Sequence, residues 1–203
     1  MPHRIDSLES LLALYGTPGE TSLRKVSRVL TPAYRAMMEA SPFLALATDG
    51  PEGLDVSPRG DPAPAVGVLD EATLLIPDRR GNNRLDSLRN IVTTGRAALL
   101  FLIPGCNETL RMNGSASLST VPDLLGRFDM NGTLPTCVIR FEIGEIYFQC
   151  ARALKRADLW NPDGFRDPKT LPSAGEMTRS AWDAFDATSY DAALQERQAR
   201  TLY

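Results

Sequence analysis

The sequence predicts a mainly β protein, a small closed barrel with flanking helices, on three observations. Two hairpin signals lie between Pro42 and Ile76. A nearly unbroken apolar run, Ala97 to Ile103, precedes two alternating segments, Thr109 to Leu118 and Cys137 to Phe148. The chain has no strand–helix–strand rhythm, which disfavours a Rossmann-type parallel sheet and leaves six or seven antiparallel strands with one helix between the fourth and fifth.

Taken in order, Ile5, Leu8, Leu11, Leu12 and Tyr15 fall at helical spacing, and Gly16-Thr17-Pro18-Gly19 ends that helix. Thr31 before Pro32 suits an N-cap and first-turn pair for a second helix reaching about Ala40. Both are expected to pack on the barrel or brace a dimer. Phe43 to Thr48 and Leu54 to Ser57 flank the turn signal Asp49-Gly50-Pro51-Glu52-Gly53, and Val66 to Leu69 and Thr73 to Ile76 flank Asp70-Glu71. Leu85, Leu88, Ile91 and Val92 form one face of the next helix, with Asn82 or Asn83 as its cap.

The run Ala97 to Ile103 reads as a central strand buried on both faces, and the next strand turns Leu110, Met112, Gly114, Ala116 and Leu118 to one side. Thr120 and Pro122 open a short helix from Val121 to Asp129. In the last strand Val138, Arg140, Glu142 and Gly144 oppose Ile139, Phe141, Ile143 and Glu145. Gln149 to Leu159 reads as helix, Gly164 to Gly175 as exposed loop, and Thr178 to Tyr203 as helix broken near Thr188-Ser189. The domain reading is a helical segment packed on the barrel over residues 1–40, the barrel over 41–162, and a loop and helical extension over 163–203.

Composition narrows the chemistry. The 203 residues suffice for one substantial domain, and the net charge of -3, without an extended basic face, disfavours nucleic acid as a partner. No apolar run approaches the roughly 20 residues that span a bilayer, and the N-terminus lacks a secretory pattern, so a cytoplasmic protein is expected. The three cysteines are too few and too dispersed for a disulfide framework. The single histidine, His3, stands two places from the N-terminus, which opposes Ser-His-Asp, Cys-His and zinc chemistry. Asp55, Asp61, Asp70 and Asp78 are separated across turns beside arginines, so no metal site is expected. A bound cofactor is then the expected source of any reactivity.

Arg59, Arg79, Arg80 and Arg84 stand around two turn-rich loops, the second running into a helix. Free amides at a helix start beside guanidinium forks form a phosphate cradle, which points to a phosphate-bearing cofactor. Ser57 is either a plain strand-end hydroxyl or a hydrogen-bond donor to a ligand.

Five blocks then carry a resemblance: Ser57-Pro58-Arg59-Gly60-Asp61-Pro62, Leu75-Ile76-Pro77-Asp78-Arg79, the stretch from Gly81-Asn82-Asn83-Arg84 to Asn90, Leu100 to Gly105, and Thr109-Leu110-Arg111-Met112-Asn113-Gly114. They resemble the pyridoxamine 5′-phosphate oxidase-like FMN-binding split barrels, and more narrowly the bacterial subgroup with SPRGDP and PDRxGNNRLDSLRNI signatures. The likeness runs from about Ser41 to Pro162. It implies a six-stranded split barrel that forms a homodimer with one FMN in each of two interface clefts.

The resemblance also implies roles. Asn82, Asn83, Arg84 and Ser87 would hold the ribityl phosphate, with Pro77, Asp78 and Arg79 along the ribityl chain or ring. Ser57 and Arg59 would serve the phosphate or the flavin ring, and Arg59 or another cation near the pyrimidine edge would oppose negative charge on the reduced ring. Thr109 and Arg111 would reach the flavin, while Lys155 and Trp160 would be contributed by the second subunit. The family's Arg-Leu-x-Pro ending is missing, since this chain finishes Arg200-Thr201-Leu202-Tyr203, which argues against pyridoxamine phosphate as substrate. The expected function is an FMN-dependent oxidoreductase acting on an unidentified small molecule, with a nicotinamide as one candidate donor. The alternative is a non-catalytic flavin carrier or sensor. A third reading, a deazaflavin or haem in the same cleft, meets the objection that the lone terminal histidine suits haem ligation poorly.

Overall fold

The computed structural model describes residues 4–203, so His3 lies outside the described residues. Seven antiparallel strands form one sheet: β1 (Phe43–Gly50), β2 (Gly53–Gly60), β3 (Gly67–Val68), β4 (Thr73–Asp78), β5 (Arg96–Leu102), β6 (Thr109–Ser119) and β7 (Cys137–Gln149). Their order is β2-β1-β5-β6-β7-β4-β3. Both expected hairpins are present, and α4 (Asp86–Thr94) lies between the fourth and fifth strands. The expected closed barrel is corrected: β2 and β3 do not pair with each other, so the sheet keeps two edges.

The core fills the inner face of this curved sheet. Leu44 and Leu46 of β1, Leu99 and Phe101 of β5, Leu110 and Met112 of β6, and Ile139, Phe141 and Ile146 of β7 are almost fully enclosed. Alternation puts these residues on one side of each strand. The strand buried on both faces is β4, whose Thr73 to Pro77 are all buried, and not β5, where Leu100 remains exposed. Leu74 and Ile76 of β4 belong to the main core and Leu75 on its opposite face is also buried, whereas Leu100 on the outer face of β5 is not.

The looser alternation of the last strand has a local cause. Opposite Asn113 and Gly114 the register slips by one residue, leaving Gly144 as a bulge. The phase then reverses, so Ile143 and Ile146 both face inward. Gly114 admits this crossing, because a β-carbon there would stand 2.0 Å from the Glu142 carbonyl oxygen.

Helix α3 (Pro32–Glu39) starts as expected, with Thr31 accepting the Tyr34 amide at 3.3 Å, and it buries Met38. In α1 (Leu8–Tyr15) no residue is buried, and α2 (Glu20–Arg24) is a further short helix. Helix α5 (Pro122–Gly126) is preceded by Val121 and not Thr120, and α6 (Arg152–Ala157) begins only after β7 has run on to Gln149. Two 3-10 turns, Pro162–Gly164 and Pro168–Thr170, interrupt the loop that follows. The C-terminal segment divides into α7 (Ala174–Ala181), α8 (Ala187–Ala192) and α9 (Leu194–Arg200). Its main break is at Trp182–Asp186, where Trp182 is extended and Asp186 caps α8, and not at Thr188-Ser189.

The expected apolar face of α4 is also revised. Ile91 is buried and Leu88 half-buried, but Leu85 and Val92 are exposed and the docking face is completed by Ser87 and Asn90. Polar bonds account for the rotation. The Asn90 side-chain amide donates to Thr48 Oγ1 and the Gly53 carbonyl, each at 3.2 Å.

Replacing Gly114 with alanine is expected to lower stability by about 3 kcal/mol, the upper range for overpacking, because the backbone of β7 must move away. Urea unfolding of the variant beside the wild type measures this.

Candidate functional site

Alternation along β2 turns Asp55, Ser57 and Arg59 to a half-buried face and leaves Leu54, Val56 and Pro58 exposed. Strand β4 ends at Asp78, opposite Cys137 of β7. The chain then bends through residues 79–85 into α4. Asn82 Oδ1 accepts the Arg84 amide at 3.1 Å, and Asn83 and Leu85 take left-handed conformations with φ of 57° and 65°. Leu85 is the N-cap, and no side chain bonds the first amides of the helix. Capping by Asn82 or Asn83 is thereby corrected: Asn82 serves the loop, and the left-handed turn at Asn83 carries its side chain out of the cap position.

The result is a cleft of about 430 Å³ on this side of the sheet. It brings together Ser57, Arg59, Asp78, Arg79, Asn82, Asn83, Arg84 and Ser87, and Pro77 joins them on an adjoining depression that shares Arg59 and Arg79.

Each expected arginine of this group has an acidic neighbour. Arg59 pairs with Asp78 on the cleft wall, and its Nε is buried without a hydrogen-bond partner among the described residues. Arg79 is held more firmly: Nε and Nη2 reach Asp61 Oδ2 at 3.0 and 2.9 Å, and Nη1 donates to the Phe128 carbonyl at 2.7 Å. Its guanidinium also lies 5.4 Å from the centre of the Tyr203 ring. Arg84 pairs with Asp86 but keeps a largely exposed side chain, and the Asp86 hydrogen bond and charge raise its already high pKa. These three arginines of the cleft are thus offset by nearby carboxylates.

The hydroxyls form a chain. Ser87 donates to Asp55, and the Ser57 and Ser87 oxygens are 2.8 Å apart. With the Ser87 proton directed to Asp55, Ser57 donates to Ser87, and its own oxygen remains an acceptor.

The other four expected residues lie elsewhere on the chain. Thr109 and Arg111 belong to a separate groove of about 450 Å³ on the outer face, beside Ala45, Ala98, Leu100 and Leu154. Thr109 is buried, whereas Arg111 stands 5.2 Å from the Tyr147 ring centre. Trp160 donates its indole N–H to the Cys106 carbonyl at 2.7 Å, and Lys155 is exposed on α6.

Several cleft residues were not singled out from sequence. Asp55 shares the face of Ser57 and Arg59 by simple alternation, a signal present in the sequence. Thr136 and Cys137 reach the cleft, and Asp61 and the Phe128 carbonyl reach Arg79, through tertiary pairing, which local pattern does not encode. Burial and then the neighbouring Asp78 push the Cys137 thiol up, with Arg59 partly opposing them. The exposed Cys150 is shifted down, chiefly by the Arg152 backbone amide and further by the charges of Arg152 and Lys25.

A family model described as Pyridoxamine 5'-phosphate oxidase matches residues 30–150, more than half of the chain and all seven strands. The chain belongs to the pyridoxamine 5′-phosphate oxidase family. Among solved structures it is similar to HupZ of Group A Streptococcus, at 15% identity and a TM-score of 0.46 over 56% of this chain and 91% of that one. A Lactobacillus delbrueckii protein named for pyridoxamine 5′-phosphate oxidase shows 18% identity and a TM-score of 0.46, over 60% of this chain and 95% of its own. An FMN-binding protein of Syntrophomonas wolfei shows 14% identity and a TM-score of 0.44, over 57% and 83%. No match was found among curated proteins. Family membership therefore rests on the sequence match, which includes every strand of the sheet. Among the described residues no helix is long and apolar enough to cross a membrane.

Thiolate is the reactive form of cysteine, so iodoacetamide at pH 8 is expected to label exposed Cys150 well before Cys137. Peptide mass mapping over a time course checks the order, and equal rates would contradict the burial of Cys137.

Proposed function

We propose that the chain is an FMN-binding oxidoreductase that acts as a homodimer on a small molecule other than pyridoxamine phosphate. The observation that carries this reading is the cleft at the start of α4, where unclaimed helix amides, the exposed guanidinium of Arg84 and the unpartnered Nε of Arg59 converge within the family match. Donors of this kind fit a phosphate monoester and the polar edge of a flavin. Asn82, Asn83, Arg84 and Ser87 would hold the phosphate, and Ser57, Arg59, Pro77, Asp78 and Arg79 would line the rest of the cofactor. FMN when bound supplies an acceptor for a hydride or electron pair.

Arg59 is suited to oppose negative charge on a reduced ring, because its Nε is already removed from water and lacks a partner. Arg79 has a positioning role, since most of its donors go to Asp61 and Phe128. Asp78 orients Arg59 through their ion pair. Thr109, Arg111, Lys155 and Trp160 would complete the site from the second subunit. That reading gives a purpose to the exposed apolar face of Leu54, Val56 and Leu100, of which Leu54 retains 84% exposure. The cofactor-binding unit is assigned to residues 41–162, with 1–40 and 163–203 as extensions.

The test begins with an absorbance spectrum of the purified protein and chromatography of what denaturation releases. Two flavin bands and released FMN are expected, and a colourless protein that takes up no added FMN would overturn the reading. Sedimentation should give a dimer, and NADH or NADPH oxidation by the loaded protein would separate turnover from mere carriage.

Two arginine variants should part company. Arg84→Ala is expected to weaken FMN binding at least tenfold with little change in thermal midpoint, because it removes a charge-assisted contact from an exposed side chain. Arg79→Ala should destabilise the fold by about 3 kcal/mol through the stranded Asp61 charge. Flavin titration and urea unfolding of both variants check this, and an Arg84→Ala protein with wild-type FMN affinity removes the phosphate assignment.

A further inference from the structure

A second cavity adjoins the proposed cofactor cleft. It opens between the loop at residues 80–82 and the C-terminal helices, with a volume of about 850 Å³, and Arg80, Gly81 and Asn82 line both spaces. Leu194 and Leu202 give it apolar lining, and Tyr190 and Arg197 line it as well.

The charges of this cavity differ from those of the cleft. Arg59, Arg79 and Arg84 each have a carboxylate within ion-pair distance. Among the described residues neither Arg80 nor Arg197 makes such a pair. Arg197 instead lies 4.2 Å from the centre of the Tyr190 ring, which orients the guanidinium without neutralising it. Two uncompensated cations lining one cavity repel each other, and a bound anion relieves that repulsion.

The helices that form the wall are linked to one another and, through Tyr203, to Arg79. Asp191 of α8 accepts from Ser173 Oγ at 2.5 Å and from the Gly175 amide at 2.8 Å, which fastens α8 to α7. Tyr190 packs edge-on against Phe185 at 5.1 Å. Beyond α9, Tyr203 rests on Arg79, whose other contacts reach Asp61 and Phe128. The chain end is thereby tied to the rim of the cofactor cleft.

We propose that this cavity binds a small organic anion, with Arg80 and Arg197 taking the carboxylate or phosphate and Leu194 and Leu202 taking its apolar body. Its role as the substrate pocket rests on the reading of the adjoining cleft as an FMN site; the anion site itself does not. The shared residues 80–82 set the bound anion beside that cleft, so the substrate class is a carboxylate- or phosphate-bearing organic molecule. The contact geometry distinguishes the two only through the number of donors engaged.

The test is calorimetric titration of the full-length protein, with and without saturating FMN, using benzoate, phenyl phosphate and the neutral benzamide as probes. Saturable binding of at least one anion is expected, with benzamide at least tenfold weaker. The tighter of the two anions names the head group. Arg197→Gln should weaken the anion at least tenfold while FMN affinity and thermal midpoint stay unchanged, and Arg197→Lys should recover part of the loss. Saturation by neither anion overturns the proposal, as does benzamide binding equal to benzoate, or an unaltered affinity in Arg197→Gln. The benzoate–benzamide comparison uses wild-type protein alone and stands even if a variant fails to fold. Arg197-dependent anion binding in a protein that takes up no FMN would keep the pocket and remove the flavin reading. FMN uptake without anion binding would remove the pocket alone.

Discussion

The placement of the site depends on how Asn90 seats α4 against the first hairpin. Its amide group bridges Thr48 of β1 and the Gly53 carbonyl at the turn, while Thr94 Oγ1 donates to the Asp49 carbonyl at 2.5 Å. Gly50 leaves room for this, since a β-carbon at that position would stand 2.0 Å from Asn90 Oδ1. A buried amide left without partners is costly, so the helix has one favourable position along the hairpin. That position sets the N-terminus of α4 above Asp55, Ser57 and Arg59 of β2. The Ser57–Ser87 and Ser87–Asp55 bonds then close the other end of the contact. An apolar interface of the same area would hold the helix less specifically, because burial is non-directional.

The resulting cleft is polarised but not strongly basic. Arg59 with Asp78, Arg79 with Asp61 and Arg84 with Asp86 are internal pairs, and Asp55 adds a further carboxylate behind the serines. A phosphate entering such a place exchanges with a carboxylate for the same donor; it does not fall into a region of unopposed charge. Exchange is easiest at Arg84, whose side chain keeps most of its freedom, and hardest at Arg79, whose forks are engaged by Asp61 and Phe128. Burial therefore divides residues of one type into a mobile contact and a structural strut. The protein keeps its acidic overall charge with a local set of donors that a multivalent anion can recruit.

Much of the fold was legible because strands and hairpins announce themselves locally. The turn signals at Gly50–Gly53 and Asp70–Glu71 gave the right pairings, and alternation in β6 gave the right core face. Closure was not legible, since pairing between the outermost strands depends on curvature accumulated over the whole sheet. The double burial of β4 was likewise invisible, because the burial of Leu75 on its outer face is set by tertiary packing and not by the local pattern. At the site, nine expected residues share one cleft and its adjoining depression because they fall in two contiguous blocks on β2 and around the start of α4. Their acidic partners were harder to see: Asp61 and Asp78 stand beside arginines in sequence, but which carboxylate meets which guanidinium is decided across the sheet. Helix capping failed for a different reason, as Asn83 answers equally to a cap and to a left-handed turn, and the backbone chose the turn.

The four residues outside the cleft bear on assembly. Thr109 and Arg111 open onto the outer side of β5 and β6, whereas the cleft is built by β2, the end of β4 and the start of α4. A rigid sheet does not let the two sets converge within one chain. If they serve one ligand, the second set must come from another copy, and a twofold arrangement supplies it twice over with the same contacts. The sheet offers a surface for this: Leu54 and Val56 on the edge strand β2 continue the apolar outer face of Ala45, Ala98 and Leu100. Pairing through that face would bury apolar area now in water and set the outer groove of one subunit against the other. On the proposed reading, the demands of the ligand and of the exposed surface would meet at one interface, although one concerns polar side chains and the other burial.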